Sequence, residues 1–191
     1  MKTTMLNPVS PRREGEIALA PRLATVEGRL IGLLHNGKHG GEDLLFGVRD
    51  ALLERAGSAR FEYRRKPHAA APASFLPELY ERWEAAIVAL GDCGSCSSWS
   101  VHDSIELEKA GIPCVLIVSR PFLEMNRIEA KRLLMPSLTM LVVEHPLAQL
   151  PSAQLQQKGA ALIDQVLAGL TARRAGEPER ARVGDLASVG A

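Results

Sequence analysis

The chain has 191 residues, 46% of them hydrophobic and 24% charged, with a formal net charge of +1. That length and balance predict one globular domain able to bury a core, and the near-neutral charge gives no electrostatic case for nucleic acid as a partner. No apolar run is long enough to span a bilayer, and Met1 to Pro8 lacks the apolar core of a secretory signal, so a cytoplasmic protein is expected.

In chain order, residues 1–28 carry Pro8, Pro11 and Pro21 among mixed charges and predict an extended N-terminal arm. A first strand, Arg29 to Leu34, runs into the glycine-rich loop His35 to Gly41. The helix after it, Glu42 to Ala56, sets Leu44, Leu45, Val48, Leu52 and Leu53 on one face at helical spacing. Arg60 to Arg64 alternates as an edge strand does, and Ser74 to Arg82 predicts a short helix. A third strand, Ala86 to Leu90, delivers Gly91-Asp92-Cys93-Gly94-Ser95-Cys96 at its carboxyl end, and a helix from Ser98 to Ala110 is stopped by Gly111-Ile112-Pro113. Pro113 to Val118 is a fourth, fully apolar strand. A helix over Phe122 to Leu134, a fifth strand over Thr139 to Val143 and an amphipathic helix over Leu155 to Leu170 complete the pattern. Residues 29–171 thus predict a single α/β domain, and residues 172–191 a polar, disordered tail.

Five apolar strands alternating with helices imply a doubly wound, mostly parallel sheet, with the flavodoxin-like order 2-1-3-4-5 expected. Ligands bind such sheets beyond the carboxyl ends of the strands, where the order reverses. Here the reversal brings two loops together, His35 to Gly41 and Asp92 to Ser98.

Both loops carry chemistry. Cys93 and Cys96 are spaced C-x-x-C at a helix start, where the helix dipole and free backbone N–H groups favour a thiolate over a thiol. One thiol of such a pair can attack while the other resolves the mixed species. Ser97 and Ser98 are cap candidates for that helix. Asp92 opposes a thiolate unless a group such as a loop amide holds its charge elsewhere. His102 and Asp103, in the first turns of the helix, are candidate acid/base groups, with Cys93 and Cys96 the candidate catalytic thiols. Asn36 and Lys38 suit a carboxylate or another anion, and Ser95, Ser97, Arg120 and His145 complete the substrate-binding candidates, His145 also as a second acid/base group. Cys114, in an apolar strand, reads as a core side chain. No cofactor is expected. The rival reading is zinc held by Cys93, Cys96 and His102 with His35 or His145 as the fourth ligand, although no second C-x-x-C or finger-spaced histidine pair accompanies them.

The sequence resembles the UGSC family of (seleno)proteins, named for selenocysteine-Gly-Ser-Cys after a strand. Cys93-Gly94-Ser95-Cys96 stands in that place, with cysteine where some members carry selenocysteine. The likeness takes in Asn7-Pro8, the segment Gly32 to Lys38, Ser98 to Asp103, Glu106-Leu107-Glu108, Gly111-Ile112-Pro113 and His145-Pro146. It implies a redox-type site, distantly similar to that of the selenoprotein subunit of glycine reductase, and names no substrate. A thioredoxin does not fit, because two strand-helix units precede the cysteines here.

Three functions follow as expectations. The first is a thiol-dependent oxidoreductase acting on a small, anionic organic substrate with a thiol reductant or partner subunit to restore it. The second is a lyase, hydrolase or isomerase using one cysteine as a non-redox nucleophile. The third is a zinc-binding or partner-binding subunit. A homo-oligomer is compatible with each.

Overall fold

The computed structural model describes residues 15–172. Asn7-Pro8, the first half of the arm and the tail beyond residue 172 lie outside the described residues. Five strands form one parallel sheet in the order β2-β1-β3-β4-β5, where β1 is Leu30–His35, β2 Arg60–Arg65, β3 Ala85–Gly91, β4 Cys114–Ser119 and β5 Met140–Val143. The expected flavodoxin-like topology is the observed one. β3 and β4 are buried along their whole length, as their unbroken apolar sequences require of central parallel strands. β2 is the half-exposed edge, and β5 alternates at the other edge.

Five α-helices cover the two faces: α1 (Gly41–Arg55), α2 (Gly94–Lys109), α3 (Leu123–Arg132), α4 (Ser152–Ala160) and α5 (Ile163–Leu170). One core cluster joins Leu44, Leu45, Val48 and Leu52 of α1 with Leu155 of α4 and Val166 and Leu170 of α5. The other sets Val101, Ile105 and Leu107 of α2 and Ala130 of α3 against Val88, Leu116 and Val118. α1 and α4 touch backbone to backbone: a Cβ on Gly47 would lie 2.0 Å from the Gln156 carbonyl oxygen, and one on Gly159 would lie 2.2 Å from that of Leu44.

The sequence reading misplaces several boundaries. The Ser74 to Arg82 helix is only a 3₁₀ turn, Leu76–Leu79, in which Pro77 supplies no N–H. The helix expected from Phe122 opens as a 3₁₀ turn, Arg120–Phe122, before α3. The last helix is two: Leu162 N–H turns back to the Gly159 carbonyl (3.0 Å), breaking the run between α4 and α5. The cysteine helix starts one turn earlier than expected, with consequences for the thiols described below.

The described part of the arm straps the sheet at its amino end. Leu23 forms a parallel bridge with Thr171. Ile17 N–H donates to the Leu134 carbonyl, and Ala20 N–H donates to the buried Glu108 carboxylate at 2.7 Å. Glu108 also accepts from Arg22 Nη1 (2.9 Å) and from Cys114 N–H (2.7 Å), so one carboxylate ties arm, α2 and β4 together.

Candidate active site

Cys93 is the N-cap of α2, and Gly94, Ser95 and Cys96 are its first three residues. The Cys93 sulfur accepts the Cys96 backbone N–H at 3.2 Å, the bond an N-cap side chain makes to the third residue of a helix. Neither Ser97 nor Ser98 caps the helix, contrary to expectation. Ser98 Oγ donates to the Gly94 carbonyl (3.3 Å), and buried Ser97 Oγ has no hydrogen-bond partner among the described residues. Sulfur takes the cap because the chain turns helical directly after Cys93, whose own backbone is still extended (φ −162°, ψ 171°).

The first turn of α2 holds no acidic residue, whereas that of α1 holds Glu42 and Asp43. The positive end of the α2 dipole is therefore left for the sulfur. Cys93 is half-buried and Cys96 fully buried, their Cα atoms are 5.4 Å apart, and the two sulfurs form a disulfide. Ser95, exposed, brings its Oγ to 3.9 Å from the Cys93 sulfur. The third cysteine contrasts with this pair. Cys114 is buried in β4, and burial, followed by the charge of Glu108, drives its thiol well above the ordinary range.

Around the cysteine turn, the carboxyl ends of four strands converge on Asp92. Its Oδ1 accepts from Ser119 Oγ at the end of β4 (2.5 Å) and faces His145 Nδ1 just beyond β5 (3.3 Å). Its Oδ2 lies 3.9 Å from Lys38 Nζ, on the loop after β1. Asp92 is thus held elsewhere than at the thiols, by side chains of three neighbouring loops and strand ends and not by a loop amide. The Lys38 loop and the cysteine turn meet at the same end of the sheet, as the topology predicts.

Asn36 is also at this end, but its side chain is spent inside the protein. Nδ2 donates to the Leu90 carbonyl and to Ser100 Oγ (both 2.8 Å), and Oδ1 accepts Lys38 N–H (3.0 Å). Buried there, it fixes the Lys38 loop to β3 and α2. His35 braces the same loop from below. Nε2 donates to the Lys38 carbonyl (2.9 Å), which leaves Nδ1 to accept from Tyr63 O–H (2.7 Å). Burial holds the His35 pKa below its ordinary value.

The remaining candidates are placed elsewhere. Asp103 lies in a buried pair with Lys66 and accepts Ala73 N–H (2.9 Å), toward the β2–β3 connection rather than beside the thiols. It shares a helix with the cysteines, yet its position on the turn points it at β2. His102 stacks edge-on against Trp99 (centroids 5.3 Å apart) with Nδ1 buried and unpartnered among the described residues. Arg120 is exposed and tied to Glu144 by Nε at 2.6 Å. Among the described residues, with Cys93 and Cys96 joined as a disulfide, no group of three or more His, Cys, Asp or Glu side chains is arranged to hold a metal ion. No described helix is long and apolar enough to cross a membrane.

Asp92, Ser119, Lys66 and Asn126 are among the buried polar residues that sequence reasoning assigned to no site. Asp92 and Ser119 carry a readable signal, since each stands at the carboxyl end of a buried strand. Asn126 does not: it donates from α3 to the Phe122 carbonyl and packs beside Gly91, a contact only the tertiary structure creates.

Fold and site together define a doubly wound α/β protein with a cysteine pair at the switch point of its sheet. The profile of the UGSC family matches residues 4–172, and the chain belongs to that family. No curated protein matches it. Among solved structures it is similar to the lactose-specific IIB component domain of a phosphoenolpyruvate:carbohydrate phosphotransferase system from Streptococcus pneumoniae. That likeness has 8% identity, covers 74% of this chain and 96% of the other, and has a TM-score of 0.34. It is also similar to a putative pilus assembly-related protein from Burkholderia pseudomallei, at 16% identity, with coverage of 78% and 96% and a TM-score of 0.40. Neither likeness carries an argument about function.

Proposed function

We propose that the protein is a thiol-dependent oxidoreductase acting on a small organic anion, with Cys93 the attacking group and Cys96 its resolving partner. The observation that carries this reading is the asymmetry of the pair. Cys93 is half-buried and caps a helix N-terminus with its sulfur, whereas Cys96 is fully buried within bonding reach of it. Lys38, half-exposed at the same end of the sheet, supplies the cation for the substrate's negative charge.

In the reaction, the Cys93 thiolate attacks a substrate R–X, forming Cys93–S–R and expelling X with its electron pair. Cys96 then attacks the Cys93 sulfur, forming the disulfide and releasing R, which takes up a proton. The sum is R–X + 2 Cys–SH → R–H + HX + disulfide, a two-electron reduction of the substrate. An external dithiol returns the disulfide to two thiols, as a reducing, cytoplasmic compartment provides.

Oxidised glutathione tests the division of labour without a known substrate. Reduced wild-type protein should pass through a mixed disulfide at Cys93 and end as the Cys93–Cys96 disulfide with release of glutathione. Cys96→Ser should retain glutathione on Cys93, visible in the intact mass, and Cys93→Ser should react slowly. Equal adduct formation on Cys96 in Cys93→Ser would overturn the assignment.

A further inference from the structure

We propose that Asp92 is a positioning residue that fixes the tautomer of His145, so that His145 Nε2 serves as the proton acceptor of the crevice. The inference rests on the thiol reading above and adds the group that handles its protons. Asp92 is buried, with only 3% of its side chain exposed, directly before Cys93 in the chain. A carboxylate only accepts hydrogen bonds. Of its contacts, Ser119 Oγ donates to Oδ1, Lys38 Nζ lies 3.9 Å from Oδ2, and His145 Nδ1 lies 3.3 Å from Oδ1. For that last contact to be attractive, Nδ1 must carry the hydrogen. In a neutral imidazole the lone pair then sits on Nε2, which has no hydrogen-bond partner among the described residues. The His145 side chain is 43% exposed, so the ring is anchored at one nitrogen and open at the other.

This arrangement supplies what the thiol step requires. When the Cys93 thiol ionises, His145 Nε2 takes up the proton and becomes imidazolium, which the adjoining carboxylate stabilises. The thiolate forms its bond to R as X departs with the electron pair, and the imidazolium returns its proton to X as HX. The Ser119 hydroxyl leaves Asp92 with one fewer way to turn, and Lys38 Nζ lies 3.9 Å from Oδ2.

The test is the tautomer itself, read by two-bond ¹H–¹⁵N correlation on the reduced full-length protein with ¹⁵N-labelled histidine at about pH 8, above the ordinary histidine pKa. His145→Gln assigns the signal among the five histidines of the chain. Wild-type His145 should show a protonated Nδ1 and a bare Nε2, and Asp92→Asn should move it toward the Nε2–H form. A wild-type Nε2–H signature, or a signature unchanged in Asp92→Asn, overturns the inference. If Asp92→Asn does not fold, the wild-type spectrum alone decides. Cys93→Ser should keep the Nδ1–H signature, so failure of the cysteine chemistry would show in the glutathione adducts and not here.

Discussion

The sheet carries a buried carboxylate at each end, and the two are used differently. Glu108, at the amino end, is satisfied by two backbone N–H groups, of Ala20 and Cys114, and by the Arg22 guanidinium. Asp92, at the carboxyl end, faces side chains only: a hydroxyl, a half-exposed imidazole and a distant ammonium. Backbone donors cannot leave or change charge, so Glu108 is a permanent tie. Histidine and lysine side chains can rotate about their own bonds, so the Asp92 contacts are not fixed by the main chain as those of Glu108 are. Burial is common to the two carboxylates, and the nature of their partners separates them.

Stability measurements give the largest separation between the two. Glu108→Ala leaves Arg22 and two buried N–H groups unpaired and should cost about 3–5 kcal/mol in urea unfolding. Asp92→Asn keeps the shape and one acceptor for Ser119, and should cost about 1 kcal/mol or less. Equal losses would erase the distinction. The cysteines extend the same contrast between the site and the core. After mild reduction, Cys93 should react with iodoacetamide at neutral pH roughly a hundredfold faster than Cys114 or more, as peptide mass spectrometry would show. Helix N-terminus and exposure favour one thiolate, and burial disfavours the other. Comparable rates would place the reactive end of the molecule elsewhere.

Strand order was legible because β3 and β4 are unbroken apolar runs and β2 alternates, and from that order the meeting of the Lys38 loop with the cysteine turn followed. Within the site, residues next to the motif could be located but not oriented. Asp103 shares a helix with Cys93, yet the helical turn carries it to Lys66, whose burial nothing in Arg64-Arg65-Lys66 announces. Asn36 has the chemistry of a ligand-binding amide, but its three hydrogen bonds depend on Leu90 and Ser100, which are distant in sequence, as well as on nearby Lys38. Asp92 read as an obstacle to a thiolate, because its partners Ser119 and His145 come from two later strand ends. Linear proximity predicts membership of a site, and pairing across strands decides the role.

The smallest expected effect separates the two histidines at this end of the sheet. His35 is buried and locked by donating to the Lys38 carbonyl and accepting from Tyr63, while His145 is half-open. Burial lowers the His35 pKa below the 6.5 of an unconstrained side chain. Between those two values the unfolded chain holds a proton on this residue and the folded chain does not, so stability must rise with pH there. The contribution is complete above pH 6.5 and is lost as pH falls toward the folded-state pKa, with a slope of at most about 1.4 kcal/mol per pH unit. Protonation would put a hydrogen on Nδ1, where Tyr63 now donates, and would place a charge under the Lys38 loop. Urea midpoints taken from about pH 7.5 down to about pH 5.5 should therefore fall more steeply for the wild type than for His35→Gln, which can keep both hydrogen bonds without titrating. An identical slope in the variant would show that His35 does not hold the Lys38 loop through a neutral ring, and the acid sensitivity of this end would then belong to another group.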